Sequence, residues 1–270
     1  FTNVFVAILF HFLALVVFSF SGTGALGQET VPEKERGLWV ARQIDQEDEG
    51  FVNQVSEATM TLRNKQGQES TRRMTIKSLE VAGDGDKSLT IFSSPRDVKG
   101  TAFLSFTHAL EPDDQWLFLP ALKRVKRISS NNKSGPFMGS EFAYEDISSQ
   151  EVEKYSYEYI REEAVLGSEG HVIERVPVDP KSGYTKQVVW VDGASWRIGK
   201  IEFYDRKGEK LKTLTFNDYK QYPNKKWRSN RMEMTNHQSG KSTQLIWSDI
   251  KFEQDLTERD FDQNALKRAR

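Results

Sequence analysis

Apolar and polar residues alternate with a period of two along most of this chain, from about residue 50 to residue 252. Such alternation is typical of strands with one buried face and one solvated face. The alternating segments are bounded by Gly, Asp, Asn or Pro, and connections such as NKQGQES and DRKGEK have the composition of hairpin turns. The pattern therefore predicts one large, strongly curved antiparallel sheet. Its predicted strands are residues 58–64, 71–81, 87–95, 101–107, 114–120, 154–166, 170–179, 184–192, 197–205, 210–219, 227–237 and 242–252.

A helix is predicted on each side of this sheet-forming region. Leu38, Ala41 and Ile44 recur at helical spacing, which predicts a short helix that ends near Asp48, before Gly50. Near the C-terminus, Thr257 is expected to begin a helix with Phe261, Ala265 and Leu266 on one face. The fold class expected from the pattern is therefore mainly antiparallel β, within the α+β class.

The segment 129–150 interrupts the alternation. It is rich in Ser, Asn and Gly, yet it carries four large apolar residues, Phe137, Met138, Phe142 and Tyr144. Long loops without regular structure are usually functional or disordered, and the apolar residues argue against disorder. Two interpretations stay open: a lid over the dry face of the sheet, or additional core beneath a long loop.

The N-terminal residues have the pattern of a secretory signal. Residues 4–20 are nearly all apolar, residues 1–27 contain no charged side chain, and a small-residue stretch at 21–27 precedes an abrupt change to polar sequence. This order predicts a signal peptide over residues 1–27, followed by a single domain over residues 28–270. A retained membrane anchor is the alternative, although 17 residues are slightly short for the roughly 20 of a spanning helix.

The composition excludes several classes of protein. The 270 residues contain no Cys, so disulfides, thiolate metal sites and a lipid-modified cysteine are all ruled out. Lys and Arg number 38 against 39 Asp and Glu, which argues against binding to nucleic acid. Any function that depends on positive charge must therefore rest on a local cluster of Lys and Arg residues.

No catalytic motif stands out in the sequence. The GTGALG stretch at 22–27 matches a dinucleotide-binding pattern, but no strand precedes it and no helix follows it. His108, His171 and His237 lack the spacing of metal ligands. We therefore expect no catalytic residues, no metal and no cofactor, and a binding protein rather than an enzyme.

Two stretches resemble a known family. DDQWLFLPALKRVKRISSNNKSGPFMGSEFAYEDI at 113–147 and WRSNRMEMTNHQSGKSTQLIWSDIKF at 227–252 are similar to periplasmic outer-membrane lipoprotein-sorting proteins of the LolA/LolB-like superfamily. The resemblance implies an unclosed β-barrel with helices covering the concave face. It also implies a hydrophobic cavity that carries acyl chains of a lipid or lipoprotein between the inner and outer membranes.

The resemblance leaves other functions open. The principal lipoprotein carrier of the superfamily lacks the PALKRVKRI signature, so the cargo here is either lipid or lipoprotein. An inner-membrane lipid exporter is the partner that the resemblance implies. The alternatives are a secreted enzyme that modifies envelope lipid in the same cavity, or a structural envelope module.

Candidate site residues fall into three sets. The cavity wall is predicted to include Phe103, Leu104, Phe106, Trp116 and Phe118. The lid is predicted to consist of Phe137, Met138, Phe142 and Tyr144. The third set, which we call the basic strip, is Lys123, Arg124, Lys126 and Arg127. It is predicted to dock on an anionic membrane surface or a membrane partner, since each cation near an anionic membrane contributes about 1 kcal/mol; a solvated edge strand is the alternative.

Overall fold

A computed structural model describes residues 31–268 of the chain. The predicted signal segment 1–27 lies outside the described residues. These residues contain two α-helices, α1 (Arg36–Asp48) and α2 (Gln263–Arg268). Within the described part of the chain, no helix is long and apolar enough to cross a membrane.

Beside several short 3-10 turns, the described residues also form thirteen strands. They are β1 (Asn53–Arg63), β2 (Glu69–Leu79), β3 (Lys87–Ser94), β4 (Ala102–Phe106), β5 (Asp114–Leu119), β6 (Arg124–Ile128), β7 (Tyr155–Val165), β8 (Ser168–Pro177), β9 (Lys186–Asp192), β10 (Ile198–Tyr204), β11 (Lys210–Gln221), β12 (Trp227–Asn236) and β13 (Ser242–Phe252). All neighbouring pairs are antiparallel.

The strands form one sheet that does not close. Its order is β6-β5-β4-β3-β2-β1-β13-β12-β11-β10-β9-β8-β7. The chain starts in the middle of the sheet, runs outward to β6 at one edge, crosses to β7 at the other edge, and returns strand by strand until β13 pairs with β1. We call residues 129–154, which connect the two edges, the crossing segment.

Contacts of the crossing segment show how strongly the sheet curves. The Gln115 amide on β5 donates to the carbonyl of Tyr144, while Lys212 on β11 bonds to Asp146, only two residues further along. In the sheet β5 and β11 are seven strand spacings apart, which in a flat sheet would be about 34 Å. Two residues of extended chain span only about 7 Å. The sheet must therefore curl around the crossing segment.

The two faces of the sheet have separate cores. The larger core lies on the concave face, where side chains from β1, β2 and β8–β13 pack with α1 and with the crossing segment. The smaller core lies on the convex face of β3–β5, where α2 covers the sheet. Leu266 of α2 is fully buried there, together with Phe261 just before the helix.

The predicted elements agree with the structure except near the C-terminus. Each predicted strand overlaps an observed one, and the predicted first helix corresponds to α1. The C-terminal helix is shorter than expected: Thr257 begins a single 3-10 turn, and α2 starts at Gln263. Residues 120–122 form another 3-10 turn, after which β6 pairs with β5 as a hairpin. Pro120 fits this turn because its ring restricts φ to helical values.

Candidate ligand-binding cavity

The start of α1 is held against the edge strand β7. Arg36 forms an ion pair with Glu162, and its guanidinium lies 3.9 Å from the ring centroid of Tyr159. At Gly37 the helix approaches the β7 backbone so closely that an added Cβ would lie 2.8 Å from the carbonyl carbon of Glu158. Only glycine, which lacks a Cβ, allows this approach.

The other end of α1 is held by β12. The Lys226 ammonium donates to the carbonyl oxygens of Glu47, at 3.0 Å, and Glu49, and Arg228 forms an ion pair with Asp48. Cations at a helix C-terminus also interact favourably with the helix dipole. Strands β7 and β12 are well separated in the sheet. Because its two ends are held at these strands, α1 lies across the concave face.

A buried polar network holds the crossing segment on the same face. The Lys212 ammonium lies 2.7 Å from a carboxylate oxygen of Asp146, and both side chains are about 95 % buried. Lys212 also donates to the carbonyl of Glu141 at 2.9 Å, and the Tyr184 hydroxyl donates to Asp146 at 2.9 Å. Burial and the nearby carboxylates raise the pKa of Tyr184 well above its usual value. The segment is thus fixed by charge-assisted bonds to strands of the second half of the sheet.

A large cavity lies between α1, residues 147–153 of the crossing segment, and the concave face of the sheet. Its volume is about 1180 Å³, which is somewhat larger than the usual range for small-molecule sites. Much of the wall is apolar or aromatic: Ile44, Phe51, Tyr157, Ile173, Val189, Trp196, Ile198, Phe216, Tyr219, Trp227 and Met232. The cavity can therefore hold a long apolar ligand.

Charged groups divide this cavity into two regions. Arg175, Arg197 and Arg228 lie on the sheet side, whereas Asp45, Asp86, Glu151 and other carboxylates lie toward α1 and the β2–β3 loop. Burial and neighbouring carboxylates raise the pKa of Asp86 to about 7. Burial also raises the pKa values of Asp45 and Glu151. The acidic region thus carries less negative charge near neutral pH than its carboxylate count indicates.

A second, smaller cavity lies in the gap between the two sheet edges. Its volume is about 290 Å³, and it is bordered by Ile128 at the end of β6 and by Tyr155 at the start of β7. Leu110 and Val178 also border it and are largely exposed. Neither cavity has a metal-binding group: no cluster of three His, Asp or Glu side chains in residues 31–268 could hold an ion.

The structure places the nine predicted wall and lid residues away from both cavities. None of them belongs to the lining of either one. Leu104, Phe106, Trp116 and Phe118 face the convex side and pack in the core that α2 covers. Successive residues of a strand point to opposite faces, so Phe103 faces the concave core while Leu104 does not. The set of residues predicted as the cavity wall therefore contains residues from both faces of the sheet.

The predicted lid residues fill the concave core. Phe137 and Phe142 are 1 % and 2 % exposed, and Met138 and Tyr144 pack partly buried beside them. The Phe137 ring centroid is 5.2 Å from that of Phe103 and 5.6 Å from that of Tyr144. This placement favours the interpretation as core over the interpretation as a lid; whether any of these residues contacts a ligand stays a prediction.

The basic strip lies on the edge strand β6 and in the turn before it. All four of its side chains are exposed, and within the described residues only Arg127 has an ion-pair partner, Asp114. Leu122 precedes the strip at the tip of the hairpin and is 67 % exposed. The strip therefore presents charge and one apolar side chain to the surroundings.

Several cavity residues were missed at the level of sequence. Tyr157, Ile173, Arg175, Val189 and Phe216 all come from the second half of the chain. Their alternation showed which strand positions were apolar, but it did not show which strands face α1. That relation depends on the path of the crossing segment.

The chain is similar to several solved structures. A domain from Vibrio parahaemolyticus, named as an outer membrane lipoprotein-sorting protein, is 58 % identical over 87 % of this chain and 99 % of that one, with a TM-score of 0.85. A DUF1329 family protein from Desulfovibrio piger is 29 % identical over 87 % of this chain and all of that one, with a TM-score of 0.82. A LolA superfamily protein from Nitrosomonas europaea, 21 % identical over 87 % of this chain and 100 % of that one with a TM-score of 0.69, supports the fold alone.

Two further comparisons bear on the family. A family model described as that of an uncharacterized protein matches residues 84–268. No curated protein matches the chain. The match to the Vibrio domain, at 58 % identity, covers 87 % of this chain and 99 % of that one. The chain therefore belongs to the family of the Vibrio outer membrane lipoprotein-sorting protein domain, and its fold is similar to that of the LolA superfamily protein.

Proposed function

We propose that this protein is a periplasmic carrier, without catalytic activity, that binds acyl chains of a lipid or lipoprotein and moves them between the inner and outer membranes. The observation that carries the proposal is the cavity of about 1180 Å³ between α1, the crossing segment and the sheet. The name of the 58 % identical Vibrio domain, an outer membrane lipoprotein-sorting protein, supports the class of cargo.

Apolar burial is sufficient for binding in such a cavity. Each methylene removed from water contributes about 0.8 kcal/mol, so roughly ten buried methylenes contribute about 8 kcal/mol before the entropic cost of association. The net affinity is then moderate. Moderate affinity suits a carrier that must release its cargo without an energy source.

A charge placed on the apolar wall should prevent uptake. Phe216 on β11 and Met232 on β12 are cross-strand partners that both line the cavity. Phe216→Lys would place an ammonium among apolar groups, and we expect at least a tenfold loss of affinity for a fluorescent long-chain fatty acid, because a buried charge is costly. Fluorescence titration measures the loss.

Thr215→Lys is the matched control for this variant. Thr215 is the neighbouring residue on the same strand, points to the opposite face, and pairs across the sheet with Glu233. The same added charge should leave uptake unchanged there. Equal uptake by both variants would contradict a ligand site in this cavity, provided that both have the melting temperature of the wild type.

We also propose that the basic strip docks the carrier on an anionic membrane surface, with Leu122 entering the interface. Support comes from the exposure of all four cations and of Leu122 at one sheet edge. Four cations near an anionic surface contribute about 1 kcal/mol each, and salt screens this attraction.

Reversal of the strip should abolish membrane binding but not cargo binding. The variant with Lys123, Arg124, Lys126 and Arg127 all changed to Glu should lose co-sedimentation with anionic vesicles at low salt and keep full fatty-acid uptake. A control with the same charge change at remote exposed positions uses Lys65, Lys207, Lys241 and Lys251. If the wild type binds no vesicles at any ionic strength, or if the two variants behave alike, the strip is a solvated edge. The inner-membrane exporter stays a prediction from the resemblance.

A further inference from the structure

Arg175 has an unusual position in the cavity. It lies on β8, is 7 % exposed, and belongs to the cavity lining. Its Nε and Nη2 atoms donate to the side-chain oxygen of Gln187 at 2.8 and 2.6 Å, and Nη2 also donates to that of Gln150 at 3.1 Å. The ring centroid of Tyr155 is 4.4 Å from the guanidinium carbon. All of these partners are uncharged.

Arg175 differs in this respect from the other two arginines of the cavity. Arg197 pairs with Asp192, and Arg228 pairs with Asp48. Within residues 31–268, no carboxylate oxygen lies within 4.0 Å of an Arg175 nitrogen, and Nη1 has no hydrogen-bond partner. Nη1 is not among the buried side-chain atoms that lack a hydrogen-bond partner, so part of its surface is accessible.

Three acidic side chains of neighbouring segments have partners other than Arg175, and the cavity carboxylates Glu151 and Glu153 form no ion pair with it. Glu145 accepts hydrogen bonds from Ser182 and Gly183, and Asp146 is paired with Lys212. Glu174, the preceding residue on β8, pairs with Lys186. A buried cation without a counter-charge is costly, and an anionic oxygen group would offset that cost with charge-assisted hydrogen bonds.

An apolar surface adjoins the arginine. In the sheet, Arg175 is opposite Tyr157 on one side and opposite Gln187 on the other. Ile173, two residues earlier on the same face, is opposite Val189. Tyr157, Ile173 and Val189 all line the cavity. One continuous surface therefore has a cationic end and an apolar wall, which matches the two parts of an anionic amphiphile.

We infer that Arg175 is the subsite for the anionic end of the ligand, a carboxylate or phosphate oxygen group, while its apolar chain lies along Tyr157, Ile173 and Val189. The inference rests on the proposed carrier function and adds the charge of the cargo to it. The planar guanidinium suits oxygens of either group. The three arginines of the cavity lie on the sheet side, so the anionic end is directed there.

The test compares ligands that share their acyl chains and differ in the charge of the polar end. A fluorescent long-chain fatty acid is titrated beside its methyl ester, and phosphatidate beside diacylglycerol with the same chains. The wild type should bind each anion about tenfold or more tightly than its neutral partner, because hydrogen bonds to charged groups are the stronger ones. Arg175→Gln should remove this preference while binding the neutral ligands normally, and Arg175→Lys should keep part of it. Arg231→Gln, on an exposed arginine paired with Asp218, is the control and should behave as the wild type.

Each outcome separates this inference from the carrier function. If the wild type binds the fatty acid and its ester equally, the role of Arg175 is wrong and the carrier proposal stands; this comparison needs no variant to fold. If neither amphiphile binds, the carrier proposal fails. Inorganic phosphate, titrated alone, distinguishes a lipid headgroup from a free anion: binding as tight as that of phosphatidate would overturn the assignment of Arg175 to an amphiphile.

Discussion

Replacing Lys212 by methionine should lower the free energy of unfolding by about 3–5 kcal/mol. The ammonium of Lys212 and the carboxylate of Asp146 are both about 95 % buried, 2.7 Å apart, so removal of the lysine leaves a buried carboxylate without its counter-charge. The same change removes the bond from Lys212 to the carbonyl of Glu141. Urea denaturation followed by circular dichroism measures the loss.

Two further variants decide whether the pair is responsible. Arg231→Met removes a surface ion pair with Asp218 and should lower the stability far less than Lys212→Met does, because solvent screens such pairs. The double variant Lys212→Met with Asp146→Asn should cost less than the sum of its single changes, because it leaves no unpaired buried charge. A loss below 1 kcal/mol for Lys212→Met, or strictly additive losses, would show that the pair of Lys212 and Asp146 is not what holds the crossing segment on the sheet.

Phe137→Ala should lower the free energy of unfolding by about 3–5 kcal/mol, as expected for a large aromatic residue removed from a packed core. Its ring is 1 % exposed and contacts the rings of Phe92, Phe103 and Tyr144. Fatty-acid uptake, measured well below the melting temperature, should stay close to that of the wild type, since Phe137 does not line the cavity.

Weaker fatty-acid uptake by Phe137→Ala, with little loss of stability, would restore the interpretation of this segment as a lid. A lid residue, when truncated, weakens uptake and leaves the melting temperature nearly unchanged. Leu110→Ala provides the reference for an apolar truncation without burial, because Leu110 is 84 % exposed. It should change stability by less than about 0.5 kcal/mol.

Most of the helices and strands, and the class of fold, could be predicted from the amino-acid sequence. Alternation with a period of two reports the burial of one strand face, which is a local property, so the strands could be predicted from neighbouring residues alone. The helical spacing of Leu38, Ala41 and Ile44 predicted α1 in the same way. The exposed basic strip was visible as a run of cations, and the resemblance of residues 113–147 indicated the family that the comparisons show.

Which faces of the elements meet, and where the cavity lies, could not be predicted in this way, because both depend on contacts between distant parts of the chain. Phe103 and Leu104 are both fully buried, and no local pattern distinguishes the core beneath the crossing segment from the core beneath α2. Alternation shows that a residue is buried, but not what buries it, because the covering elements are distant in sequence. The surroundings of Arg175 could not be predicted for the same reason. Its burial without a carboxylate partner results from β7, β9 and the crossing segment meeting around it, and those contacts exist only once the sheet has curled.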